Sequence, residues 1–219
     1  MTQQQSSVGL GKNGRFSPQQ RRRLLIDMAL RRIQPGSGSG QHFLQRRTAL
    51  NPWPDLRHIL FGIHWVIVGG VATRAYMPER MTQDLNILIH TQDAETVLSR
   101  LQAASYQLVQ KLSIPGFLLT SPEGIELDVL LGEQPWIKEA LASPAYDLAN
   151  YPVLPLPYLI LLKLEASRVQ DIADVTRMLG WASEEMLEKV RQAIAQYAPQ
   201  ESDDLESLVF LGRQERSEP

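Results

Sequence analysis

Two short apolar segments of this chain begin with polar groups at alternate positions: Asp84-Leu85-Asn86-Ile87-Leu88-Ile89 and Ile125-Glu126-Leu127-Asp128-Val129-Leu130-Leu131. In extended chain, successive side chains point to opposite faces, so Asp84 and Asn86 share a face about 6–7 Å apart, as do Glu126 and Asp128. Leu85, Ile87, Leu127 and Val129 then face the other way. If the two strands are neighbours, three carboxylates and one amide converge on a common cleft. Clustered carboxylates repel one another, and a cation is the usual reason to collect them; hard oxygen ligands select magnesium or manganese. Two such ions about 3.5–4 Å apart can bind a triphosphate, activate an attacking hydroxyl and stabilise the leaving pyrophosphate.

Upstream, Trp65-Val66-Ile67-Val68 is an apolar run cut off by Gly69-Gly70. This suits a buried strand entering a tight turn, followed by a helix over 71–76. Without Cβ atoms, two adjacent glycines let backbone N–H groups approach a phosphate closely. Asp128 lies inside a strongly apolar stretch, where an acid needs a partner, an ion or a wet face.

Gly69-Gly70, Arg80-x-Thr82-x-Asp84-x-Asn86 and Asp128 resemble the DNA polymerase β-like nucleotidyltransferase superfamily, whose pattern is a Gly-Gly or Gly-Ser turn, an Asp-x-Asp strand and a later Asp on a neighbouring strand. The resemblance covers about 65–131. It continues in Leu162-Lys163-Leu164 with Arg168, Asp171 and Asp174, which look like the helical tail of the minimal and abortive-infection nucleotidyltransferases, toxins of toxin–antitoxin pairs among them. The resemblance implies that Gly69 and Gly70 hold nucleotide phosphates and that Asp84 and Asp128 bind metal, with Asp128 also the base for an acceptor hydroxyl. It implies that Arg80 and Thr82 shape the phosphate site and that Lys163 and Arg168 reach the triphosphate. The expected activity is transfer of a nucleoside monophosphate from an NTP to a hydroxyl on RNA, protein or a small molecule, with Mg2+ or Mn2+ and release of pyrophosphate.

Asn86 departs from that pattern. An amide carbonyl can ligate a hard cation but brings no charge to offset two divalent ions. At an effective dielectric near 20, one missing charge amounts to several kcal/mol. Metal affinity should fall unless Glu126, on the same face as Asp128, takes the place of the missing acid. The rival reading is an inactive pseudo-enzyme that serves as a nucleotide-binding or protein-interaction module.

The remaining elements have to position these groups. Ser17-Pro18-Gln19-Gln20 has the residues of a capping box, and Leu24, Leu25, Met28 and Ala29 follow at helical spacing, which predicts a helix over 18–33. The Pro35-to-Gly40 run of glycine and serine reads as a linker, and 1–16 as a leader with few apolar anchors. Trp53-Pro54-Asp55 leads into a further expected helix. Helix is predicted over 94–104, strand over 106–112 and 117–120, and a turn at Ser121-Pro122-Glu123-Gly124 returns the chain into 125–131. From Pro157 onward helices are expected over 158–167, 171–179, from Ser183, and over 202–211.

The expected fold is α+β, a mixed sheet flanked by helices with a helical C-terminal part. Residues 1–40 form a basic extension, 41–150 the α/β core and 151–219 the helical part.

The chain has 219 residues, 43% hydrophobic and 21% charged, with no cysteine, which excludes thiolate chemistry and disulfides. The four histidines are scattered, and His64 and His90 read as packing or edge residues rather than ligands. The four tryptophans read as core. The longest apolar run, 156–164, is too short to span a bilayer, so no membrane partner is expected and the cytoplasm is the default.

Net charge is only −2, yet residues 1–50 carry nine Lys/Arg against the single Asp27, and 183–219 carry nine Asp/Glu against four Lys/Arg. The basic end could therefore meet a polyanion or the acidic end. Arg21, Arg22, Arg23, Arg31 and Arg32 could grip nucleic-acid phosphates, or belong to a docked helix with a solvated face.

Overall fold

The computed structural model describes residues 16–35, 53–78, 82 and 84–216. Helix α1 (Pro18–Leu30) is followed by β1 (Trp65–Val68), the single-turn α2 (Gly69–Ala72) and a 3-10 turn at Thr73–Ala75. Next come β2 (Asp84–His90), α3 (Ala94–Ala103), β3 (Gln107–Lys111), β4 (Gly116–Thr120) and β5 (Glu126–Gly132). The chain then forms α4 (Ile137–Ala142), two-residue strands β6 (Ala145–Tyr146) and β7 (Pro152–Val153), and the helices α5 (Leu156–Ala166), α6 (Val169–Trp181), α7 (Glu184–Tyr197) and α8 (Ser202–Arg216). The fold is α+β, as expected, with a helical C-terminal part.

The seven strands form one mixed sheet in the order β3-β4-β5-β2-β1-β7-β6. Strands β2 and β5 are parallel and adjacent, in the register Asp84↔Glu126, Asn86↔Asp128 and Ile87↔Val129. Strand β1 runs antiparallel to β2, with Val68 opposite Asn86. Leu85, Ile87, Ile89, Leu127 and Val129 are essentially inaccessible and belong to one core. Each such side chain contributes about 1.5–3 kcal/mol when fully buried. Together they fix which face of the sheet carries the acids.

Local chemistry accounts for the element ends. Ser17 and Gln20 form the anticipated capping box, with the Gln20 N–H donating to Ser17 Oγ at 3.1 Å and the Ser17 N–H to Gln20 Oε1 at 2.8 Å. The Ser121–Gly124 turn closes with Gly124 N–H donating to the Ser121 carbonyl at 2.9 Å, and Gly124 takes φ +83°. Ser183 caps α7 by accepting from the Met186 N–H at 3.2 Å.

Two expectations need correction, and three elements were not anticipated. The segment after Trp53 makes hydrogen-bonded turns over 57–62 rather than a helix. The helix expected over 71–76 begins two residues earlier, at the glycines, and gives way to the 3-10 turn. Helix α4 and strands β6 and β7 carry no period long enough to have been anticipated.

The basic N-terminal helix meets the acidic C-terminal end. Helix α1 packs on α6 and α8, burying Ile26 and Arg22 at 1% exposure each, and Arg22 pairs with Glu201 and Asp204. Arg21, Arg31 and Arg32 remain exposed. Trp53, Trp65 and Trp136 are core residues, while Trp181 is half-buried beneath the Arg216 guanidinium, 4.5 Å from its ring centre. No helix among the described residues is long and apolar enough to cross a membrane.

Helices α6 and α8 cross at Gly180 and Gly212. A Cβ on Gly212 would stand 2.1 Å from the Thr176 carbonyl oxygen, and one on Gly180 would stand 2.4 Å from the Gly212 carbonyl oxygen. Both obstacles are backbone and cannot rotate away. Gly212→Ala should therefore destabilise the fold by about 1–3 kcal/mol or more, as overpacked cores do, read as a lowered urea midpoint.

Candidate active site

The parallel register of β2 and β5 sets Asp84 beside Glu126 and Asn86 beside Asp128, all on one face of the sheet. Asp84, Asn86 and Asp128 are half-buried and Glu126 is exposed. Strand β4 continues this face, with Leu118 opposite Asp128 and Thr120 opposite Glu126. These two neighbours were missing from the sequence reading, although the Ser121–Gly124 turn implied the pairing.

On the other side of Asn86 lies the glycine turn. Gly69 has φ +69°, and a Cβ there would approach Asn86 Nδ2 to 3.1 Å. The glycine therefore answers both to a left-handed backbone and to close approach of the Asn86 side chain. Gly70 follows it as a buried residue of α2.

Asn86 is not idle in the cleft. Its Nδ2 donates to Asp84 Oδ2 at 2.7 Å, and the Thr82 hydroxyl donates to Asp84 Oδ1 at 2.7 Å. The carboxylate oxygens of Asp84 thus accept from Asn86 in its own strand and from Thr82, two residues before it. Turning the Asn86 amide over would put its carbonyl against the carboxylate, so charge fixes the orientation.

A pair of divalent ions needs carboxylate oxygens aimed at the ions. Here an N–H occupies the position of the second acid, and among the described residues no group of three or more His, Asp or Glu side chains is arranged to hold an ion. An amide at position 86 leaves the cleft one carboxylate short of the Asp-x-Asp pattern. The register brings Asp84, Glu126 and Asp128 to one face of the sheet on adjacent strands.

Asp128 feels the consequence. Burial pushes its carboxyl above the usual 3.8, the negative charges of Asp84 and Glu126 push it further, and Arg168 opposes them. Arg168 thus acts electrostatically on Asp128, and Asp84 acts on Arg168 in turn. Its side chain is 74% exposed, and its guanidinium is held by Asp171, with Nε to Oδ2 at 2.6 Å and Nη2 to Oδ1 at 3.3 Å.

Lys163 stands elsewhere. Its side chain is 4% exposed, and Nζ donates to Asp171 Oδ1 at 3.1 Å and Asp174 Oδ2 at 2.8 Å. The ammonium is enclosed between two acids of α6, whereas Arg168 is exposed and acts electrostatically on Asp128. Asp171 links the two cations by accepting from both. Arg80, expected at the phosphate site, lies outside the described residues. His64 is exposed and His90 half-exposed, with His90 Nδ1 accepting from the Gln92 N–H at 3.2 Å.

The chain matches no protein-family model and no curated protein. Among solved structures, it is similar to the antibiotic-resistance factor ANT(2'')-Ia, at 16% identity over 72% of this chain and 90% of that one, with a TM-score of 0.42. It is also similar to the lincosamide antibiotic adenylyltransferase LnuA, at 11% identity over 65% and 91% of the two chains and a TM-score of 0.39. The Cid1 poly(U) polymerase aligns at 15% identity over 80% of this chain and 46% of its own, with a TM-score of 0.31. At these scores the likenesses transfer no activity, which has to be read from the cleft itself.

Two outcomes follow from the cleft. Asp128 holds its proton to a higher pH in the folded chain than in the unfolded one, so it favours the fold below the usual 3.8 and that contribution is lost as pH rises through the raised value. Asp128→Asn should raise the melting temperature near neutral pH, and the gain should vanish toward pH ~3. Gly69→Ala should cost about 1–2 kcal/mol from the left-handed backbone alone, measured by urea unfolding.

Proposed function

We propose that this chain is a nucleotidyltransferase-fold protein that binds a nucleoside triphosphate between the Gly69-Gly70 turn and Arg168, with nucleotidyl transfer weakened or lost at Asn86. The observation that carries this reading is the hydrogen bond from Asn86 Nδ2 to Asp84 Oδ2. It satisfies one acid with a neutral donor where a second acid would have demanded cations. The glycine turn, the exposed Arg168 and the neighbouring acids are the residues that would meet phosphates and a hydroxyl.

Any residual transfer would join an acceptor oxygen to the α-phosphorus, break the bond to pyrophosphate and pass the hydroxyl proton to Asp128. The raised proton affinity of Asp128 suits it to that task. The acceptor class is a hydroxyl on RNA, a protein or a small molecule, and a toxin-type role would fall within it.

A second reading has support from the register. Glu126 stands directly beside Asp84, so it could supply the missing charge and sustain transfer with Mg2+ or Mn2+.

Calorimetric titration of ATP with and without magnesium, on the native chain and on Asn86→Asp, tests the first reading. Restoring the acid should strengthen magnesium-dependent binding by about tenfold or more, since one charge at this range is worth several kcal/mol. An unchanged affinity would mean that position 86 does not govern cation binding. Turnover in the native chain that Glu126→Gln abolishes would favour the second reading.

A further inference from the structure

Helix α5 ends at Ser167, a non-glycine residue in the left-handed region at φ 49° and ψ 33°. The next residue, Arg168, is the N-cap of α6, and its charge acts on Asp128 of the acidic cleft. Whatever fixes Ser167 therefore fixes where the Arg168 side chain starts. A left-handed serine persists only when its surroundings over-determine it.

Those surroundings come from the other end of the chain. Arg22 of α1 donates Nη1 to Ser167 Oγ at 2.6 Å and to the Leu164 carbonyl at 2.6 Å, in the last turn of α5. Its Nε donates to Asp204 Oδ2 at 2.7 Å, and its Nη2 pairs with Glu201. Arg22, Ser167, Glu201 and Asp204 are all more than nine-tenths buried. Arg23 adds a bond from Nη1 to Asp204 Oδ1 at 2.9 Å. A buried guanidinium with four partners in a rigid fork determines position far more sharply than an apolar contact does.

We infer that Arg22 is a positioning residue: docked through the N-terminal helix, it pins the left-handed Ser167 at the α5–α6 junction and thereby holds Arg168 over the acidic cleft. Asp171 holds the same guanidinium from the α6 side, backed by buried Lys163. The N-terminal helix is then part of the site's support. The consequence for triphosphate binding rests on the nucleotide reading above; the consequence for the junction does not.

Two measurements on the full chain separate them. Trypsin cleaves after Arg168 only when the junction opens, so Arg22→Met should be cut there about tenfold faster than the native chain under native conditions. Calorimetry with ATP and with adenosine should show a loss of about tenfold in ATP affinity for Arg22→Met and Arg168→Ala, with adenosine unaffected. Arg22→Met leaves Glu201 without its cation and Asp204 with Arg23 alone, and can fail to fold. Ser167→Gly removes the hydroxymethyl group, and with it the bond to Arg22, at a backbone conformation that glycine accepts, and should reproduce both effects in weaker form.

Native cleavage rates in Ser167→Gly and in a folded Arg22→Met would overturn the inference. So would faster cleavage with native ATP affinity, provided that the native chain binds ATP. A native chain that binds no ATP would sink the nucleotide reading while the cleavage rates still decide whether Arg22 holds the junction.

Discussion

The in-register parallel pairing of β2 with β5 is the constraint on which the site depends. Its two-residue period sends Leu85, Ile87, Leu127 and Val129 into the core and leaves Asp84, Asn86, Glu126 and Asp128 on the opposite face. A slip by one residue would bury the acids and expose the aliphatic side chains, at a cost of several kcal/mol for each buried group. The hydrophobic core thus selects the cleft, although none of its side chains takes part in it. Strand β1 adds the third wall by placing the glycine turn against Asn86.

Within that frame, charge decides what the cleft can do. Burial first, and then the repulsion of Asp84 and Glu126 gathered by the two strands, raise the proton affinity of Asp128. An acid at position 86 would add to it and call for cations. An amide instead donates to Asp84 and lowers the local charge. Arg168 reduces the remaining negative field, and its position depends on Asp171 and on the turn at Ser167.

The two ends of the chain carry opposite charge, and their docking turns that asymmetry into structure. A buried guanidinium paired with two carboxylates adds little net stability over an apolar packing, because desolvation offsets the attraction. What it supplies is a fixed geometry at the α5–α6 junction. Among the five arginines of the N-terminal segment that could have faced a polyanion, Arg22 is fully enclosed and Arg23 is engaged by Asp27 and Asp204.

Local rules determined much from the sequence alone. Alternation in Asp84–Ile89 and in Ile125–Leu131 defined both strands to within a residue of their observed ends and which residues share a face, because side-chain direction in extended chain follows position. The Ser17 and Ser183 caps and the Ser121–Gly124 turn were legible because their hydrogen bonds close within a few residues. Only the tertiary structure decided that β2 and β5 are neighbours, that Asn86 bonds to Asp84, that Lys163 is enclosed while Arg168 is exposed, and that Arg22 reaches a serine 145 positions away. Pairings of that kind depend on which elements meet in space, and no period or spacing along the chain records them.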